Sequence, residues 1–297
     1  MKRRSFLQAG AASMAASFIN RSSLARAYCY PPEMYVGGFL LGVQAWCFKE
    51  FSFFEAIDKV KETRCCAYEA MSGQRLAPGS DQKFDHLADP SVWAKARMKL
   101  ERTGVRLVSY YYFNLGKNHE ESRKVFDFCK VMDIPMINAE PEKEDMDHLE
   151  DLVKEYDIQL AIHNHPKDLI KTPGHDHWNP EYVLDLIENR DPRIGFCADV
   201  GHWNRSAINP LDAMKIAEGR ILNCHLKDVA AQGPWNEETH NVPLGQGVID
   251  VKAVLDELRR QRFNGPVILE YEHNYLSNVP EIAECVDYVR EYGRKHF

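Results

Sequence analysis

The run "GFCADVGHW" (195–203) places Asp199 and His202 three residues apart at the close of an apolar stretch. Four other apolar runs end alike. Glu140 closes "INAE", His163 and His165 close "AIHNH", His225, Lys227 and Asp228 close "CHLKD", and Glu270 and Glu272 close "LEYE". Imidazoles mixed with carboxylates suit one divalent ion of the Mn, Zn, Co or Fe type, whereas calcium takes an all-oxygen cage. Taken singly, these residues have plainer uses. A strand-end aspartate commonly caps a helix or forms a turn, and one histidine in an apolar run is commonly a satisfied core residue. Five such positions gain meaning only if the elements that carry them end on one side.

Those elements alternate. Short β-rich runs ("FLLGVQAW", "CCAYEAM", "VRLVSYYYF", "PMINAE", "QLAIHNH", "IGFCADV", "ILNCHLKD" and "PVILEYE") are separated by helical patterns. "SFFEAIDKVKE" opens with Ser52 and has Glu55 three residues on, which predicts a capping box. "PSVWAKARMKLERTG" has Pro90 near its start and Gly104 past its end. Val254, Leu255 and Leu258 recur at helical spacing. Eight strand–helix units in about 260 residues predict an α/β chain folded as a (β/α)8 TIM barrel, one domain over 28–297. A doubly wound sheet would normally follow its first strand with a Gly-rich phosphate loop, and "CFKEF" stands there instead. In a barrel all strands deliver their C-terminal ends to one rim, where active sites are built.

Strand periodicity refines the set. Alternate residues share a face, so His163 goes with His165, His225 with Lys227, and Glu270 with Glu272. Asp199 and His202 would face opposite ways on a continued strand; Gly201 lets the chain turn between them so that both reach the centre. Glu272 and Asp228 are expected to be solvated.

The N-terminus has a separate logic. Residues 1–27 hold paired Arg3 and Arg4 before Phe6-Leu7, then the small-residue run "AGAASMAASF" and "ARA" at 25–27, the pattern of a twin-arginine signal peptide. This predicts export, a periplasmic or otherwise exported location, and the twin-arginine translocase as a passing partner. No apolar run approaches the ~20 residues of a membrane span, so stable membrane insertion is not expected. The whole chain carries −7; removing Lys2, Arg3, Arg4, Arg21 and Arg26, with no acid among residues 1–27, leaves −12. That balance argues against nucleic acid as a partner. Eight cysteines show no CxxC pattern, and Cys197 and Cys224, inside strand-like runs, read as buried free thiols.

In combination, "LGVQAW", "YEAMSGQRL", "AIHNHP", "DVGHW", "HLKD", "PLGQGVIDV" and "LEYE" resemble the xylose-isomerase-like TIM barrels, the sugar phosphate isomerase/epimerase superfamily, and within it an exported branch. The resemblance runs over nearly all of 28–297. It implies one divalent metal held by a Glu on strand five, an Asp on strand six, a His on strand seven and a Glu on strand eight. The last three fall on Asp199, His225 and Glu270. Strand five offers His163 in place of the Glu, and Glu140 on strand four is the other candidate, so the candidate ligands are Asp199, His225 and Glu270 with His163, Glu140 or both. His202 falls where the family contacts a substrate oxygen. The zinc-dependent apurinic endonucleases share the barrel but need an Asp-x-His before a Gly-x-Gly, and "THNVPLGQG" lacks it.

The resemblance implies removal of a proton next to a carbonyl. Proton return to the opposite face epimerises a sugar, return to the neighbouring carbon isomerises it, and loss of a leaving group one carbon on is a β-elimination. The expected base is Glu270 or Glu140, with the other, or His165, returning the proton; Lys227 and His202 hold sugar oxygens. Glu69 either reaches a hydroxyl across the barrel or is solvated. Trp46, Trp178 and Trp203 either stack on sugar or pack in core and loops. Outside the cytoplasm an unphosphorylated carbohydrate is favoured, which makes an isomerase or epimerase the first expectation and a lyase or hydratase cleaving 3-keto-glycosides the second. A sugar-binding barrel without chemistry is the third, and a homo-oligomer is compatible with all three.

Overall fold

Eight short apolar runs become eight strands: β1 (Phe39–Gln44), β2 (Ala67–Met71), β3 (Arg106–Tyr111), β4 (Met136–Ala139), β5 (Gln159–His163), β6 (Ile194–Asp199), β7 (Ile221–Leu226) and β8 (Pro266–Leu269). The computed structural model describes residues 30–167, 169–171 and 174–296; the export signal expected at 1–27 lies outside them, as does Cys29. Each strand pairs in parallel with the next, and β8 pairs with β1 from Pro266 opposite Leu40 to Leu269 opposite Val43. The cylinder is closed: the chain folds as the expected single α/β barrel.

The helices follow the end signals in the sequence. α1 (Phe53–Glu62) starts at Ser52, whose side chain and that of Glu55 form the reciprocal capping box. α2 (Pro90–Thr103) has proline in its first turn and ends at Gly104 in a left-handed conformation, φ +71°. α3 (His119–Met132) and α4 (Met146–Tyr156) end instead at left-handed Asp133 and Asp157. Beyond β5 come α5 (Pro180–Ile187), α6 (Val200–Arg205), α7 (Pro210–Ile216), α8 (Val251–Arg260) and α9 (Val279–His296). α8 buries Val251, Val254, Leu255 and Leu258, one stripe at helical spacing; each such side chain contributes about 1.5–3 kcal/mol on leaving water. The short α6 has no counterpart in the sequence reading, being too brief for a periodic signal.

The barrel interior changes character along its axis. At the base, inward-facing Leu40, Ala67, Val108 and Ile268 pack with Met34 in an apolar plug. A Cβ on inward-facing Gly42 would lie 2.9 Å from Ile268 Cδ1 and 3.0 Å from Ala67 Cβ, so this layer needs glycine there. Above it sit Glu69, Ser109, Asn138 and Asn223, all fully buried. The ionisable strand ends form the mouth. The described cysteines, Cys197 and Cys224 included, are free and buried. Among the described residues no helix is long and apolar enough to cross a membrane.

Candidate metal centre

Four strand ends converge on one point. His163 ends β5, Asp199 ends β6, His225 lies one residue before the end of β7 and Glu270 directly follows β8. Asp199 and His225 are neighbours in strand register. Asp199 Oδ2 lies 3.6 Å from both His163 Nε2 and His225 Nδ1, and His225 Nδ1 lies 2.9 Å from Glu270 Oε2. One ligand atom from each of the four stands within 4.8 Å of the others. Such spacings allow one ion at bond lengths of about 2.0–2.2 Å. His163 Nε2 is buried without a hydrogen-bond partner, and Asp199 Oδ2 has no hydrogen bond beyond its ion pair with Lys227, so an ion would satisfy the one and share the other. The charges agree: four buried carboxylates (Glu69, Glu140, Asp199 and Glu270) meet one buried ammonium, Lys227, and one buried guanidinium, Arg205.

Asp199 serves two purposes. Its Oδ1 accepts the backbone N–H of His202 at 2.7 Å and caps α6, while Oδ2 turns to the centre. The cap and the ligand readings therefore describe two oxygens of one residue. Asn164 fixes the peptide, accepting from Asp199 N at 2.9 Å and donating to Asp199 O at 3.0 Å. Gly201 does not act as the expected hinge. It lies inside α6, and a Cβ there would come within 2.2 Å of Lys227 Cγ, so its role is to leave room for that side chain.

Lys227 is buried among carboxylates. Its ammonium lies 3.0 Å from Asp199 Oδ2, 3.1 Å from Glu270 Oε2 and 3.3 Å from Glu272 Oε2. Burial opposes its charge, but Asp199, Glu270 and Glu272 outweigh burial and raise its pKa. Likewise burial would push Glu270 up, and Lys227 with His225 brings it below the carboxylate range. His202 is also buried, 3.3 Å from Lys227 Nζ, and burial holds its imidazole neutral.

Behind the four stand two further carboxylates. Glu69 is neither solvated nor free to reach a hydroxyl. Its Oε2 accepts from Ser109 Oγ at 2.6 Å, Asn138 Nδ2 at 2.5 Å and Asn223 Nδ2 at 2.8 Å, and its Oε1 lies 2.9 Å from His225 Nε2. Glu140 stands outside the group of four. It accepts from His163 Nδ1 at 2.8 Å, from His165 Nδ1, from His175 Nε2 at 2.6 Å and from the Tyr111 hydroxyl at 3.3 Å. Burial pushes Glu140 up, but the surrounding imidazoles reverse this and hold it well below the carboxylate range. Burial also disfavours a charged His163, yet its contacts with Asp199 and Glu140 push it up to about 9. His175 and its neighbour His177 escaped sequence reasoning. The signal was the H-x-H of "GHDHW", which lies in the long connection between β5 and α5 and not at a strand end.

A cavity of about 490 Å³ opens over this centre. Its floor is His163, His165, His225, Glu270 and Glu272. Among the described residues no lysine or arginine lines it. Trp46 sits on its rim, 40% exposed, whereas Trp203 is wholly buried in the core and Trp178 packs under Lys167 Nζ at 4.6 Å. The expected solvation of Glu272 and Asp228 does not occur. The Glu272 side chain is mostly buried against Lys227 and Arg205. Asp228 is buried and accepts backbone N–H bonds from Val229, Gly245, Gly247 and Ile249, tying down the "PLGQGVI" loop.

The sequence pattern of the xylose isomerase-like TIM barrel family matches residues 67–292. The chain belongs to this family. An inosose dehydratase of Lactiplantibacillus plantarum is 24% identical over 165 residues, 51% of this chain and 52% of that relative. The chain spans about half the length of the curated relatives it matches. An uncharacterized protein from Parabacteroides distasonis has the same fold, with TM-score 0.66, 28% identity, and coverage of 84% of this chain and 98% of that one. A xylose isomerase-like TIM barrel protein from Mycobacterium smegmatis, solved in complex with magnesium, shares the fold at TM-score 0.66 and 14% identity, covering 88% and 99%. In this xylose isomerase-like barrel the fifth strand brings a histidine to the group of four, with Glu140 one layer behind it.

Proposed function

We propose that the chain is a divalent-metal-dependent enzyme that removes a proton next to the carbonyl of an unphosphorylated sugar and returns it, by isomerisation or epimerisation. His163, Asp199, His225 and Glu270 hold the ion; two imidazoles and two carboxylates suit Mn, Zn, Co or Fe. When bound, the ion supplies positive charge beside the substrate's carbonyl oxygen. The observation that carries the reading is the His165–Glu140 pair beside that group. His165 is on the cavity floor, and its Nδ1–H donates to buried Glu140, which leaves Nε2 as the acceptor. His165 Nε2 takes the proton, and Glu140 holds the ring and stabilises the resulting imidazolium. Glu140 thus acts through His165, and Glu270, engaged by His225 and Lys227, is a ligand and not the base. Glu272, on the same floor, is held by Lys227 and Arg205 and is assigned no proton. The lack of lysine and arginine among the described lining residues supports a substrate without phosphate. We read residues 1–27 as directing export through the twin-arginine route, which agrees with such a substrate.

The similarity to an inosose dehydratase favours a second reading, elimination from a keto-sugar or a 3-keto-glycoside after the same proton removal. Incubating the metal-loaded protein with ketohexoses and with keto-glycosides in D2O separates the two. Deuterium at the α-carbon with no group released supports the first. Release of water or an aglycone supports the second. No exchange at any substrate, in wild type and His165→Gln alike, removes both and leaves a carbohydrate-binding barrel.

A further inference from the structure

The connection between β5 and α5 carries two histidines that the chemistry above does not use. His175 and His177 are both buried, their rings 4.3 Å apart. His177 donates from Nε2 to the Pro141 carbonyl at 3.0 Å, so the ring's lone pair is on Nδ1. That atom is buried and has no partner. His175 is placed differently: its Nε2 donates to Glu140 Oε2 at 2.6 Å, and its Nδ1 lies 3.6 Å from Glu142 Oε1, so an ion here takes the place of the proton between His175 and Glu140. An imidazole whose N–H is held by a carbonyl or carboxylate, and whose other nitrogen looks into a buried polar gap, is set up as a metal ligand. One ligand atom of Glu140, His175 and His177 each lies within 4.8 Å of the others.

We propose that Glu140, His175 and His177 hold a second divalent ion, of the zinc or iron(II) type, separate from the one at the barrel mouth. Two neutral imidazoles and one carboxylate suit those borderline ions and leave coordination positions for water. The two sites use opposite sides of Glu140. Oε1 accepts from His163 and His165, which belong to the mouth, and Oε2 faces His175. An ion on Oε2 ties the β5–α5 connection to the end of β4. That connection also carries Leu169 and Ile170 to the cavity wall, so the second ion fixes the shape of the cavity without joining the reaction.

Metal analysis of the purified full chain after equilibration with zinc tests this. Two equivalents are expected in wild type, one in His177→Ala and one in Asp199→Asn. One equivalent in wild type that survives His177→Ala overturns the second site and leaves the barrel-mouth reading standing. One equivalent that survives Asp199→Asn but not His177→Ala supports the second site and removes the other. Should His177→Ala fail to fold, cobalt(II) titration of metal-free wild type decides. Visible absorption that saturates at two equivalents, in two steps, is the expected result; saturation at one equivalent overturns the proposal.

Discussion

Glu69 and Glu140 are both fully buried carboxylates that stand one layer behind the group of four, each touching one of its histidines. Their surroundings differ. Glu69 is fed by a hydroxyl and two carboxamides, groups that cannot titrate in the accessible range, and it faces only His225. Glu140 is fed by three imidazoles and a phenol, and through His165 it reaches the cavity. Under the proposed mechanism the same side chain is a fixed anchor in one place and part of a proton-transfer device in the other. Environment sets the role, as it does whenever two carboxylates in one site divide the work.

The largest effect should separate the two. Glu140→Gln keeps the shape but removes the charge that stabilises protonated His165, and turnover should fall by about 10²–10⁴-fold with KM little changed. Glu69→Gln should weaken metal binding by about 10–100-fold through the loosened His225, with turnover recovered when the metal is raised to saturation. Steady-state kinetics across a metal titration measures both. Loss that metal cannot rescue in Glu69→Gln would erase the distinction between anchor and proton device.

Metal removal should show the same asymmetry as a pH effect. At a free metal concentration 100 times Kd, binding stabilises the fold by about 2.7 kcal/mol, which chelation removes. Without metal, His163 has its pKa raised to about 9 by Asp199 and Glu140. A raised folded-state pKa contributes stability fully below the unfolded value of about 6.5, and that contribution is lost as pH rises through about 9. The chelated protein should therefore lose stability between about pH 6.5 and 9, while the loaded protein, whose His163 is already neutral, should not. Thermal unfolding at several pH values, with and without chelator, reads the difference; His163→Asn should remove it.

The sequence reached the barrel and its rim because both rest on repetition. Eight alternations and a strand-end rule apply to every unit, and His163, Asp199, His225 and Glu270 all obey that rule. What it missed has no period. Glu69 sits mid-strand in "AYEAM", and its partners Ser109, Asn138 and Asn223 come from three other strands, 40 to 154 residues away. Only the alternation that turns Ala67 and Glu69 to the same side of β2 hinted that it points inward. Asp228 looked like a solvated end of "HLKD" because the four N–H groups it accepts include three from residues 245–249. His175 and His177 lie in an irregular segment, where spacing says nothing about direction. Gly201 was rightly singled out for the wrong reason, since the side chain it makes room for belongs to β7's extension and not to its own turn.

The smallest test probes the anchor itself. Ser109 Oγ gives Glu69 Oε2 one of its three hydrogen bonds, deep in the barrel and away from the cavity lining. Ser109→Ala removes that bond but leaves Asn138 and Asn223 in place, so the carboxylate stays partly satisfied. A hydrogen bond to a charged group contributes about 1.5–3 kcal/mol, and two remaining donors should keep the loss at the lower end. Denaturant unfolding of the metal-free protein should show a lower midpoint at unchanged slope, and the loaded enzyme should keep its turnover. The equivalent deletion at Glu140, Tyr111→Phe, also removes one neutral donor, but from the carboxylate that serves His165. A turnover change in Tyr111→Phe with none in Ser109→Ala is the expected pairing, because only one of the two carboxylates has to change its partners' charge during the reaction.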